Sequence, residues 1–188
     1  MAAKKRLNLW PRLQKSRPEP IGEPVLETPW FDVLASPSAN APDPYYTIRC
    51  CDFVVIIAVE NAGRLVLVRQ FRHGVNAHTL ELASGHVESG DTPEETARKE
   101  LLEETGYTAD KFELLASLSP STARFTNRLW CYFARDARPA PDARPEEGME
   151  VHLYDRGLKA LLSEKDFYSA PNYGALCVAL LAGKLQLT

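Results

Sequence analysis

Hydrophobic positions along the chain fall into short runs divided by polar and Pro-rich breaks. "WFDVLAS" (Trp30 to Ser36) predicts a first strand, and "SPSANAPDP" then breaks the chain with three prolines. The β-branched and aromatic stretch "YYTIRCCDFVVIIAV" (Tyr45 to Val59) predicts two strands or one long bent one. After the turn "ENAG", "RLVLVRQF" (Arg64 to Phe71) returns as its partner, and "HTLELAS" reads as a short extended piece. A helix is expected over 93–105. "FELLASL" (Phe112 to Leu118), "RLWCYFA" (Arg128 to Ala134) and "MEVHLYD" (Met149 to Asp155) read as later strands, with a polar loop across 135–148. "GLKALLSEK" and "APNYGALCVALLAGK" close the chain as helices; the second carries an apolar stripe including Leu176, Ala179 and Leu180. This order predicts an α/β fold, a mixed sheet with helices on both faces. The Pro-rich residues 1–29 read as an irregular arm, 30–52 as N-terminal strands, and 53–188 as the main domain.

Composition narrows the class. The 188 residues are 45% hydrophobic and 25% charged, as in an ordinary globular protein. The net charge of −3 argues against a molecule built to bind polyanions. Residues 1–30 hold six Lys/Arg against three acids, which leaves the remainder at −6. The longest apolar run, Phe53 to Val59, is far too short to cross a bilayer. The N-terminus lacks the apolar stretch of a secretory signal. Four cysteines, none in a C-x-x-C pair, suggest reduced thiols and a cytoplasmic setting.

The chemistry gathers in "GHVESGDTPEETARKELLEETGY" (Gly85 to Tyr107). Thr92, Pro93 and Glu95 mark a helix start with a capping box, and Gly106 suits its end. Glu100 and Glu104 lie one turn apart, with Glu103 on the other side of Glu100. Like charges at such spacing repel, so the cluster calls for a cation. Hard divalent ions such as Mg²⁺ or Mn²⁺ take carboxylate oxygens and bridge them to substrate phosphates.

The stretch resembles the signature of the Nudix hydrolase family, with Gly85, Glu100, Leu101, Glu103, Glu104, Gly106 and Tyr107 at the family's spacing. It departs twice: Asp91 stands for a loop Glu, and Lys99 for the Arg that helps orient the acids. Lysine cannot form a bidentate fork to a carboxylate. The resemblance implies a Nudix-type α/β/α sandwich with an N-terminal β extension. "RQFR" (Arg69 to Arg72) and "ELASG" (Glu81 to Gly85) look like the ADP-ribose and nucleoside-diphosphate-sugar pyrophosphatase branch, with Ala83 for Pro and Ser84 for Ala.

That branch implies metal-dependent hydrolysis of a nucleoside diphosphate sugar, with ADP-ribose expected to give AMP and ribose 5-phosphate. It also implies a metal shell from Glu100, Glu104, Glu103 and the backbone carbonyl of Ser84. Arg72 matches a phosphate contact and Glu81 a site-supporting acid. The base is open between Glu103 and two acids of the loop "RPEEGMEV", Glu146 and Glu147. Arg124 and Arg128 are candidates for phosphate or ribose. Trp30 or Tyr46 is a candidate for stacking on the base, across a homodimer that exchanges N-terminal strands. Other readings are a different diphosphate (GDP-mannose, a UDP-sugar, a dinucleotide) or a silent nucleotide-binding domain. Nucleic acid is not expected as a partner, because the basic arm is short and nearly all its Lys/Arg precede Pro18.

Overall fold

The structure is a computed structural model that describes residues 20–187. The basic part of the arm, up to Arg17, lies outside these residues. The described chain forms two sheets. The smaller is antiparallel and ordered β1 (Glu23–Glu27), β2 (Phe31–Ser36), β3 (Tyr45–Cys50). β1 falls inside the segment expected to be irregular. Its Pro24 is tolerated because β1 is an edge strand whose register shifts between Pro24 and Leu26.

The larger sheet contains β4 (Phe53–Glu60), β5 (Leu65–Arg72), β6 (Ala77–His86), β7 (Tyr107–Thr108), β8 (Lys111–Leu118), β9 (Leu129–Pro139) and β10 (Glu150–Tyr154). Its order is β10-β5-β6-β4-β9-β7, with β8 also paired to β9. β4 and β9 run parallel and the other pairs antiparallel, so the sheet is mixed as expected. β4 is unbroken in hydrophobicity because both its faces are covered. Val55 and Ile57 enter the cluster with Leu67, Leu82, Phe167 and Leu176, beneath α2 (Leu158–Leu161) and α3 (Ala170–Leu181). Val54 and Ile56 enter the opposite cluster with Ala83, Ala97, Leu101 and Tyr132, beneath α1 (Pro93–Thr105).

Three expectations need adjustment. β9 runs on to Pro139, through part of the expected 135–148 loop, because β7 pairs with its far end. A bulge there puts Asp136 at φ 58° and returns Ala137 to the interior. The "GLKALLSEK" helix shortens to one turn, α2. "HTLELAS" is part of a ten-residue strand. The small sheet joins the large one through the β8–β9 loop: Ile48 N–H donates to the Arg124 carbonyl (2.7 Å) and Thr126 N–H to the Ile48 carbonyl (3.0 Å).

Candidate active site

α1 forms at its expected bounds for local reasons. The Thr92 hydroxyl accepts from Glu95 N–H (3.2 Å), and the Glu95 carboxylate accepts from Thr92 N–H (2.8 Å). Gly106 ends the helix at φ 69°, its N–H donating to the Leu102 carbonyl (2.7 Å). Thr96, Ala97, Leu101, Glu104 and Thr105 are buried. A glutamate on the buried stripe is the first sign of a site, since carboxylates are seldom buried without a partner.

Glu104 crosses to β6, where one carboxylate oxygen accepts from Ser84 N–H (2.8 Å). Glu100 lies over the next residue. A Cβ on Gly85 would fall 1.8 Å from its Oε1, so only glycine leaves room for that carboxylate. Burial, with Glu103, Glu146 and Glu88 nearby, pushes Glu100 up to about 7. Burial also pushes Glu104 up to about 8, against the opposing Ser84 hydrogen bond; Glu100 raises it, Arg72 lowers it and Glu81 raises it. Two adjacent acids drawn from water and held above the ordinary carboxylate range are a common mark of a functional site.

Arg72 and Glu81 lie beside them. Arg72 Nε and a terminal nitrogen fork onto the two Glu81 oxygens (3.1 and 2.6 Å), and Thr79 Oγ1 donates to Glu81 Oε1 (2.6 Å). Glu81 is only 7% exposed, so the fork supplies a buried carboxylate with a cation. Burial lowers the Arg72 guanidinium, yet it ends above its ordinary value because Glu81 and Glu104 hold its charge.

The other candidates separate. Glu103 is exposed, and its carbonyl accepts from Glu146 N–H (2.9 Å), which docks the acidic loop on the helix end. Glu146 and Glu147 are both exposed, but of the two Glu146 is the one whose charge raises Glu100. Arg124 donates to the Tyr46 carbonyl (3.1 Å) and lies over the Tyr45 ring, 4.5 Å from its centroid. It therefore serves the seam between the sheets in this chain. Arg128 donates from its side chain to Ser117 Oγ (3.3 Å) and from its backbone to Asp52 Oδ1 (2.8 Å). Trp30 occupies the β1–β2 turn and is 76% exposed. Among the described residues no three His, Cys, Asp or Glu side chains form a group that could hold a metal.

Sequence reasoning missed Glu88, whose charge reaches Glu100, and Asp52, which accepts from Trp130 Nε1 (3.0 Å) and from Val87 N–H through its carbonyl (2.8 Å). Of the two, Glu88 acts on the acid pair, whereas Asp52 ties the start of β4 to β9 and to the residue after β6. The two departures from the family signature meet each other: Lys99 Nζ lies 2.6 Å from Asp91 Oδ2.

Comparison with known proteins agrees with this geometry. The NUDIX domain model matches residues 52–167. The chain is 32% identical over 139 residues to the ADP-ribose pyrophosphatase of Bacillus subtilis (strain 168), covering 71% of this chain and 74% of that protein. It is 29% identical to the ADP compounds hydrolase NudE of Escherichia coli (strain K12), over 65% of this chain and 67% of that one. A crystal structure of an ADP compounds hydrolase superposes with a TM-score of 0.70 at 23% identity, covering 87% of this chain and 94% of that chain, which shows the shared fold. With the family model matched across the sheet, α1 and the Glu100–Glu104 pair, the chain belongs to the NUDIX domain family and is a Nudix pyrophosphohydrolase.

Proposed function

We propose that this protein hydrolyses the diphosphate bridge of a nucleoside diphosphate sugar, preferring ADP-ribose, with Mg²⁺ as its metal. The carrying observation is the pair of Glu104, buried and held by Ser84 N–H, and Glu100, half-buried over Gly85, beside the Arg72–Glu81 fork. The relatives' names, ADP-ribose pyrophosphatase and ADP compounds hydrolase, support the substrate class.

The residues fit a divalent cation. Both carboxylates are hard oxygen donors, and both are desolvated so far that they hold protons near neutrality. Glu100, Glu104 and the Ser84 carbonyl would hold the ion, with Glu103 available at the rim. When bound, the ion neutralises phosphate oxygens and lowers the pKa of a bound water.

The chain's own groups do the rest. Arg72, oriented by Glu81, binds a diphosphate oxygen. A carboxylate takes the proton of water as its oxygen bonds to one phosphorus. The P–O bond to the bridging oxygen breaks, that oxygen leaves with the second phosphate, and the products are AMP and ribose 5-phosphate. Among the candidate bases, Glu146 has the most support, because its loop is hydrogen-bonded to α1 and its charge reaches Glu100. Glu103 and Glu147 are the alternatives.

Without metal, the folded chain keeps protons on Glu100 and Glu104 up to about 7 and about 8, above the 4.5 of a free carboxylate. Between those values the folded state binds more protons than the unfolded one, so stability falls as pH rises. A cation that takes the ionised form offsets this loss. The rise in Tm given by Mg²⁺ should therefore be larger at about pH 8.5 than at about pH 6 in thermal unfolding scans. Equal rises would count against a cation at these acids.

We also propose a cytoplasmic homodimer. Leu26, Phe31 and Tyr46 share one face of the small sheet and are exposed there, an apolar surface suited to a second copy. Sedimentation should give a dimer for the full chain and a monomer once the small sheet is deleted; a monomer in both contradicts the proposal. No helix among the described residues is long and apolar enough to cross a membrane.

Incubation with Mg²⁺ and a panel of ADP-ribose, GDP-mannose, UDP-glucose and diadenosine diphosphate tests the preference. AMP release from ADP-ribose should be fastest. A faster reaction with another member moves the assignment to that substrate, and hydrolysis of none defeats the enzymatic reading.

A further inference from the structure

The polar row on β6 does not end at Glu81. Gln70 stands opposite Thr79 in the β5–β6 ladder. Cross-strand partners share a face, and on this face Thr79 donates to Glu81 and Arg72 forks onto it. The Gln70 amide therefore lies on the α1 side of the sheet, in line with the site. It is only 7% exposed, and among the described residues nothing accepts a hydrogen bond from its Nε2. A buried donor without a partner is costly, and an apolar side chain of the same size would remove that cost. A chain that keeps it gains something in return.

The row shows what the amide would meet. Going back along β6, Gly85 lies under Glu100, Ser84 holds Glu104, Glu81 holds Arg72, and Thr79 faces Gln70. From Gly85 to Thr79 this is about 20 Å of strand, which leaves room for a sugar beyond a diphosphate held at the acids. Arg72 is the group on this row suited to a phosphate. At Thr79, next to the Glu81 carboxylate, another anion is disfavoured. A neutral hydroxyl is favoured, because an amide and a hydroxyl can each donate and accept. On the other side, β10 pairs β5 as far as Glu150 opposite Arg69, so the acidic loop arrives next to Gln70.

We propose that Gln70 is a specificity-determining residue that hydrogen-bonds a hydroxyl of the sugar on the far side of the diphosphate. The inference rests on the hydrolase reading above, and its test separates the two. ADP carries the nucleoside and diphosphate but no second sugar, so it serves as the control ligand. With Gln70→Met, which keeps the size and removes the amide, KM for ADP-ribose should rise about 10- to 100-fold. The inhibition constant of ADP should stay within about twofold, and Tm should hold or rise, since a partnerless buried amide has been removed. Gln70→Asn, which draws the amide back by one methylene, should give an intermediate KM and supplies the same comparison should the Met variant fold poorly.

A parallel weakening of ADP would assign Gln70 to the nucleotide and overturn the proposal, as would an unchanged KM. If the unaltered protein turns over no member of the panel, the hydrolase reading fails by itself. Calorimetric binding of ADP-ribose and ADP to the wild type and Gln70→Met then still decides the role of Gln70. Only selective loss of ADP-ribose affinity supports it.

Discussion

Replacing Glu104 by glutamine should lower turnover of ADP-ribose by about 10³-fold or more while leaving the metal-free protein at least as stable as the wild type. The two halves of this expectation share one cause. In the folded chain without metal, burial holds the Glu104 carboxyl up to about 8, so it is largely neutral near pH 7. Glutamine copies that neutral form, and its amide oxygen can still accept from Ser84 N–H, as the carboxylate does at 2.8 Å. The fold therefore loses no hydrogen bond and no longer carries an acid that must ionise in a desolvated place. Function is lost because an amide brings no charge to a cation. Interactions that stabilise charge at the reacting centre are worth on the order of 10²–10³ each in such sites. Loss of a metal ligand should cost at least the upper figure. Glu104→Gln should also abolish the Mg²⁺-induced rise in Tm. Steady-state rates and thermal scans of the same preparation read both, and a variant with wild-type turnover would remove Glu104 from the site.

Alanine at position 85 should be nearly as damaging to catalysis, by geometry instead of charge. Its Cβ would lie 1.8 Å from Oε1 and 1.9 Å from Cδ of Glu100. The clash is with the far end of a flexible side chain, so the backbone can stay and Glu100 must leave. The stability cost should remain below about 1 kcal/mol, partly offset because alanine has less freedom than glycine in the unfolded chain. Moving a reacting group by about 1 Å can cost about 10²-fold, and here a carboxylate is expelled. A folded Gly85→Ala protein with kcat reduced by about 10²-fold or more is the expected result. Full activity in a protein with an unaltered melting curve would mean that Glu100 works from another position, or not at all.

These expectations also show what could be read before any fold was known. α1 was legible to its ends because its signals are local: Thr92 and Glu95 at one end, Gly106 at the other. β1 was hidden by Pro24, whose presence reads as a breaker until it is seen on an edge strand at a bulge. The run of β9 to Pro139 was hidden because "RDARP" is polar, and its pairing with β7 is a tertiary fact. In the site, Glu100 and Glu104 were legible from their spacing on one helix. That Glu104 is bound by a strand amide, that Gly85 admits Glu100, and that Gln70 Nε2 meets no acceptor among the described residues can be read only from the fold. Asp91 and Lys99 change meaning most. Taken singly they are two weakened positions; in the structure they are a salt bridge that ties the loop before α1 to the helix. Exposed pairs of this kind add little to the stability of a fold, so this pair serves to hold the loop in place.

The central claim is that Glu100 and Glu104, with a divalent cation, hydrolyse a nucleoside diphosphate sugar. A time course of ADP-ribose with the purified full chain tests it most directly, following AMP and ribose 5-phosphate together with Mg²⁺ and again with excess chelator. The two products should appear in equal amounts with the metal and not at all with the chelator. Absence of both products with every divalent cation tried, or their release at the same rate in the presence of chelator, would contradict it.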